Sequence, residues 1–246
     1  MTVNSTTRNL VYSLWRNVQF AVLPPLCLLC GRQGAGTRDL CGSCADELQR
    51  NKLCCPRCAL PLHAPAPMCG ECLKREPPFG AAAVPFVYAH PLDMLMIRLK
   101  FGRSLAAGRV LSQVWIDAMH ESPPASMPQA LVPVPLHNTR LRERGYNQAL
   151  ELARPLANEF DIALCHNALA RVRSTPAQAN LDAKTRRRNM RGAFAVAEAA
   201  KLPSHVAVVD DVMTTGTTLR ECARTLRRAG IERIDAWALA RAPRVR

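Results

Sequence analysis

Two adjacent carboxylates, Asp210 and Asp211, are followed after Val212 and Met213 by the run Thr214-Thr215-Gly216-Thr217-Thr218. Neighbouring acids can hold sugar hydroxyls or a hydrated Mg2+. The threonines offer hydroxyl donors. A turn that opens a helix adds free backbone N–H groups and the positive end of the helix dipole, which suits a phosphate. Gly216 lets such a phosphate approach the backbone closely. Both groups must be held by rigid elements, and the sequence provides them. His205–Val209 is predicted as a strand buried on both faces, and Thr217–Ala229 as a helix ended by Gly230. Ligands of open α/β sheets bind beyond the carboxyl ends of the strands. The run lacks the Gly-Lys-Ser/Thr of a Walker A loop. Helix capping alone would need a single threonine and no acidic pair.

A second group of chemically capable residues lies earlier. Nine of the eleven cysteines fall between Cys27 and Cys72. Eight of these form four Cys-x-x-Cys knuckles, Cys27/Cys30, Cys41/Cys44, Cys55/Cys58 and Cys69/Cys72, and the second set repeats the first at an offset of 28 residues. Tetrahedral structural zinc takes four thiolates in this pattern, so two zinc ions are expected. Sequential ligation, Cys27/30/41/44 and then Cys55/58/69/72, is the first expectation. An interleaved cross-brace joining Cys27/30 to Cys55/58 stays open. A disulfide framework would fit a secreted chain better. Cys54 is surplus. Four-thiolate sites leave no open position for chemistry. The zinc would instead supply folding energy to a segment poor in apolar residues, and the module would act as a clip or docking surface.

The remaining sequence alternates strands and helices, which predicts an α/β domain with a largely parallel sheet. A helix is expected over Arg8–Leu23, a linker over Leu73–Phe79 and a strand over Val84–Tyr88. Further on come a helix over Ser104–His120, a strand over Leu131–Val134, a helix over Gly145–Phe160 broken or bent near Pro155, and a final strand over Arg233–Leu239. The expected organisation is an N-terminal helix over 1–25, a double zinc ribbon over 26–76 and the α/β domain over 80–246. Arg241 to Arg246 is expected to be a frayed tail. The chain has 246 residues, 48% of them apolar and 21% charged, which excludes disorder as the main state. Arg16, Asn17 and Gln19 interrupt the apolar stretch Leu10–Leu23, so no membrane span or secretory signal is expected there, and the expected compartment is the cytoplasm. The net charge of +14 favours a polyanionic partner.

The apolar strand, the acidic pair and the Thr-Thr-Gly-Thr-Thr run together resemble the 5-phosphoribosyl-1-pyrophosphate (PRPP) motif of type I phosphoribosyltransferases. Further segments narrow the resemblance: Leu99-Lys100-Phe101-Gly102, Val132-Pro133-Val134-Pro135-Leu136, Arg140 through Gln148, and Arg188 through Phe194. With the cysteine-rich start they are similar to the ComF competence-protein family and its GntX-type members over nearly the whole chain. The resemblance implies a type I phosphoribosyltransferase sheet preceded by a zinc module, Mg2+ bound together with PRPP or a related sugar phosphate, and a place in DNA uptake during natural transformation. It also implies a mobile hood loop over Arg171–Asn189, where Gln178, Arg188 and Asn189 are the candidates for closing on the ligand. Lys100 and the loop residues Arg140, Arg142 and Arg144 are candidates for the pyrophosphate. His137, in that loop, is read as a satisfied polar residue rather than a catalyst.

Two functions follow. One is a phosphoribosyltransferase, in which Asp210 and Asp211 hold the ribose, Thr214–Thr218 hold the 5-phosphate, and a nucleophile displaces pyrophosphate. No base-recognition segment is evident, so the acceptor stays open. The alternative is a non-catalytic or regulatory protein on the same scaffold, whose zinc ribbons and basic face contact single-stranded DNA. Protein partners from a DNA-uptake machinery fit either reading.

Overall fold

The computed structural model describes residues 24–173, 190–197 and 200–243. The helix expected over Arg8–Leu23 and the hood candidates Gln178, Arg188 and Asn189 lie outside the described residues. The chain divides into two compact units, at Glu47/Leu48.

In the first unit, the knuckle at Cys27 and Cys30 turns through Gly31, whose φ is +74°. Its N–H bonds back to the Cys27 carbonyl at 2.9 Å. The knuckle at Cys41 and Cys44 opens the short helix α1, Gly42–Asp46.

The second unit begins with the repeat of this device. Ala59 stands 28 residues after Gly31, also has positive φ (+53°), and its N–H reaches the Cys55 carbonyl at 2.7 Å. The turn therefore demands a left-handed residue, and the second copy meets that demand with a strained alanine. Helix α2, Gly70–Lys74, follows Cys69 just as α1 follows Cys41.

The rest of the second unit is a six-stranded parallel sheet. Its strands are β1 (Ala82–Ala83), β2 (Phe86–Val87), β3 (Ala130–Pro133), β4 (Ala163–Leu164), β7 (His205–Met213) and β8 (Arg233–Arg241). The order is β1-β8-β7-β3-β4, and β2 also pairs with β8. An antiparallel pair, β5 (Leu169–Arg171) and β6 (Phe194–Val196), stands apart. Of the strand expected at Val84–Tyr88 only Phe86–Val87 forms, and Pro85, which has no N–H to donate, separates it from β1 upstream.

The helices are α3 (Leu92–Phe101), α4 (Leu105–Glu121), α5 (Asn138–Arg144), α6 (Gln148–Glu159) and α7 (Thr217–Arg228). The Ser104 hydroxyl caps α4, accepting from Ala107 N–H at 3.2 Å. Helix α7 buries Leu219, Cys222, Ala223 and Leu226, spaced i, i+3, i+4, i+7 as one packed face requires. Val206–Val209 and Ile234–Leu239 are buried without interruption, as expected for strands covered on both faces.

The sheet reverses direction between β3 and β7. From β3 the chain runs outward to β4, and from β7 it runs the other way to β8. A crevice opens at such a reversal, beyond the carboxyl ends of the two strands.

Candidate ligand site at the sheet reversal

Strand β7 carries both acids into this crevice. It runs to Met213 rather than ending at Val209, so Asp210 and Asp211 are strand residues, Asp210 paired with Ala238 of β8 and Asp211 set between the paired Asp210 and Val212. Asp210 Oδ1 accepts from Asp211 N–H at 2.9 Å, and Asp211 Oδ1 from Val212 N–H at 2.6 Å. One oxygen of each carboxylate is thereby used to fix its orientation. Burial, reinforced by the neighbouring Asp211, raises the Asp210 carboxyl from 3.8 to about 7, against the opposing pull of Lys100 and Arg171.

The turn Thr214-Thr215-Gly216 leads directly into α7. Gly216 is left-handed, φ +69°, and a Cβ there would lie 2.8 Å from Met213 Cε. Only glycine fits without strain and displacement. The Thr215 and Thr217 hydroxyls bond each other at 2.8 Å. Gly216, the N-cap of α7, has no side chain to cap it. The Thr215 hydroxyl reaches Thr217 N–H only at a long 3.4 Å, and first-turn N–H groups without an intrahelical partner suit an anion.

The flanking motifs converge on the same edge. Lys100, at the end of α3, pairs with Asp211 at 3.0 Å. The Tyr146 hydroxyl donates to the Leu99 carbonyl, and the Arg144 guanidinium lies 5.6 Å from the Phe101 ring centre. Asn147 caps α6 and donates to the Val134 carbonyl at 3.0 Å, tying the same segment to the end of β3. The segment after Pro135, expected as a loop, is the helix α5, and His137 is its cap, accepting from Thr139 N–H at 3.3 Å.

The three candidate arginines of α5 differ. Arg140 is half-buried and acts electrostatically on Arg171, which in turn acts on Asp210. Arg142 is exposed. Arg144 is engaged with Gln148 Oε1 at 2.8 Å. The structure adds two cations with no specific role in the sequence reading. Arg171 lies over the Phe194 ring at 5.7 Å, and its charge acts on Asp210. Arg241, expected in a frayed tail, instead ends β8 and is buried. Its charge was misleading because it follows an unbroken apolar run that carries no mark of where the strand stops.

The segment Arg191-Gly192-Ala193-Phe194 is anchored to α7, where buried Glu221 accepts from Gly192 N–H at 2.8 Å. A separate cavity of about 390 Å³, lined by residues including Arg50, Ala82, Pro124 and Arg233, contains none of the residues of this site.

The cysteines gather sequentially. Cys27, Cys30, Cys41 and Cys44 form one cluster and Cys55, Cys58, Cys69 and Cys72 another, with all Sγ atoms of a cluster within 4.8 Å of one another. The Cys30–Cys41 and Cys58–Cys69 sulfur separations are 3.7 and 3.5 Å. Four sulfurs at about 2.3 Å from one zinc stand about 3.8 Å apart, so the thiols already have the dimensions of a zinc site. Burial pushes the Cys55 thiol up, but backbone N–H groups, Cys69 first, outweigh it and bring it down to about 7. Cys54 lies outside both clusters.

Comparison with known proteins agrees with this geometry. Residues 18–73 match the double zinc ribbon domain and residues 147–246 the phosphoribosyl transferase domain. The chain is 36% identical to competence protein F of Haemophilus influenzae over 222 residues, 88% of this chain and 96% of that protein. It is 36% identical to DNA utilization protein YhgH of Salmonella typhimurium over 224 residues, 89% of this chain and 98% of that one. YhgH of Escherichia coli K12 is 35% identical over the same length.

Proposed function

The chain belongs to the family of competence protein F and DNA utilization protein YhgH, and on that premise we propose that it binds Mg2+·PRPP or a closely related sugar phosphate in the service of DNA uptake. One observation carries this reading: β7 delivers two carboxylates to the mouth of a threonine-lined turn whose left-handed glycine is the N-cap of the following helix. The 5-phosphate sits on Thr214–Thr218 and the ribose hydroxyls on Asp210 and Asp211. The acidic pair would hold Mg2+ through the second oxygens of Asp210 and Asp211, the latter shared with Lys100, and the ion would supply charge for the leaving pyrophosphate. Lys100, paired with Asp211, and Arg171, which acts on Asp210, are the cations to serve it, with Arg140, Arg142 and Arg144 of α5 as further candidates.

In a transfer reaction the acceptor's lone pair forms a bond to the anomeric carbon, the C–O bond to pyrophosphate breaks, and the acceptor's proton passes to solvent or a base. Cations fixed before the reaction stabilise the charge that grows on the leaving group. The test is calorimetric titration with Mg2+·PRPP. Wild type binds, and Asp210→Asn with Asp211→Asn loses at least about tenfold. A wild type that shows no heat and no competition with ribose 5-phosphate overturns the reading.

The DNA-binding alternative is favoured by one surface. Phe101 is 71% exposed, the Arg144 guanidinium lies 5.6 Å from its ring centre, and Arg98 and Arg103 are close to it in sequence, a combination of ring and cations able to stack a base and hold its phosphate. Its affinity for single-stranded DNA must fall with salt as counterions are released.

A further inference from the structure

Arg241 joins two parts of the second unit that the sequence treats separately. Its side chain is only 3% exposed. It bonds four carbonyl oxygens and also interacts with the Cys58 thiol. Nε donates to Cys58 at 3.1 Å, Nη1 donates to Met213 at 2.7 Å and Ala242 at 3.0 Å, and Nη1 also bonds the Thr214 carbonyl. Cys58 is a ligand of the second cysteine cluster, whereas Met213 and Thr214 are the last strand residue and the first turn residue before Gly216.

A buried guanidinium is costly unless an anion stands close. Four thiolates on one zinc carry a net double negative charge, and Cys58 and Cys69 are the anionic groups that act on Arg241. Peptide geometry gives the contact its consequence. In a trans peptide the C=O of one residue and the N–H of the next point in opposite directions. Holding the Met213 and Thr214 carbonyls inward on Arg241 therefore turns the Thr214 and Thr215 N–H groups the other way, out of that contact.

We propose that Arg241 is a positioning residue for the phosphate-binding turn, anchored by the second cysteine cluster, so that the turn's affinity for a sugar phosphate depends on zinc in that cluster. This rests on the reading of Thr214–Thr218 as the phosphate site. Neither the zinc ligands nor Arg241 touches the ligand. The coupling runs through one side chain and two backbone carbonyls. It gives the second ribbon a task that the first, in a separate unit, lacks.

The test uses full-length zinc-loaded protein and Arg241→Lys, with Arg241→Met as a second variant. Lysine keeps the cation but cannot span the Cys58 carbonyl and the turn at once. The readouts are ribose 5-phosphate affinity, amide hydrogen exchange at residues 213–217 and, as a control for general loosening, exchange in α4. Arg241→Lys is expected to bind at least about tenfold more weakly and to exchange faster at 213–217, with α4 unchanged. Wild-type protein depleted of zinc is expected to show the same local acceleration. Wild-type exchange at 213–217 in Arg241→Lys, or in the zinc-depleted protein, overturns the proposal. If wild type binds no ribose 5-phosphate, the ligand reading falls, and the clamp is decided by the exchange data alone. Should Arg241→Met fail to fold, Arg241→Lys still decides the outcome.

Discussion

Burial, with the Asp211 carboxylate beside it, raises the Asp210 carboxyl from 3.8 to about 7. The folded chain thus holds this proton more tightly than the unfolded chain does. Its contribution to stability falls as pH rises from about 4 to about 7 and is constant above that. Ligand binding has the opposite sign. A Mg2+-bearing ligand favours the ionised acid, so affinity for Mg2+·PRPP is expected to increase with pH and level off above about 7. Lys100, 3.0 Å from Asp211, is one of the charges holding the Asp210 value down. Lys100→Met is therefore expected to shift the midpoint upward by about one unit and to weaken binding below it. Titration of affinity between pH 5.5 and 8.5 measures both effects. A profile that is flat in wild type, or one that Lys100→Met leaves in place, would contradict the role given to these residues.

Lys100 reaches the acidic pair because two elements are clasped. Helix α3 ends at Phe101, and the Tyr146 hydroxyl holds the Leu99 carbonyl one residue before the lysine. Tyr146→Phe removes a single hydrogen bond, with an expected stability loss of about 1 kcal/mol read from the urea midpoint. It should also weaken Mg2+·PRPP binding severalfold, because the lysine loses its support. A stability loss without any change in affinity would make the clasp merely structural. Elements of this kind were the least legible in the sequence. Helix α5 has seven residues and buries none of them, so it shows no apolar period and reads as a loop. Helix α3 buries Leu92, Leu95, Met96 and Leu99, yet it is short and apolar enough to read as a strand as easily. The strand, turn and helix from β7 to α7 were legible because there the acids, threonines, glycine and amphipathic period fall in one continuous stretch.

At the scale of the molecule, the internal repeat was plain from its constant offset, but its two copies do not have equal surroundings. The second cluster belongs to the unit that holds the sheet, and Cys55, Cys58, Cys69 and Cys72 pack in the same apolar core as Phe79, Val84, Ala130 and Met213. The first cluster belongs to the smaller unit, with Leu40 buried beside it in sequence. Spacing alone could not reveal this asymmetry, since it depends on which residues outside the repeat cover each cluster. Two zinc ions per chain are expected by metal analysis. Cys72→Ser and Cys44→Ser should each remove one of them. Because a structural zinc site contributes folding energy directly, Cys72→Ser should lower the melting temperature of the sheet-bearing unit by on the order of 10 °C. Cys44→Ser should leave that transition within about 2 °C. Equal losses from the two substitutions would mean that the clusters support the sheet alike, and the special position given to the second would have to be abandoned.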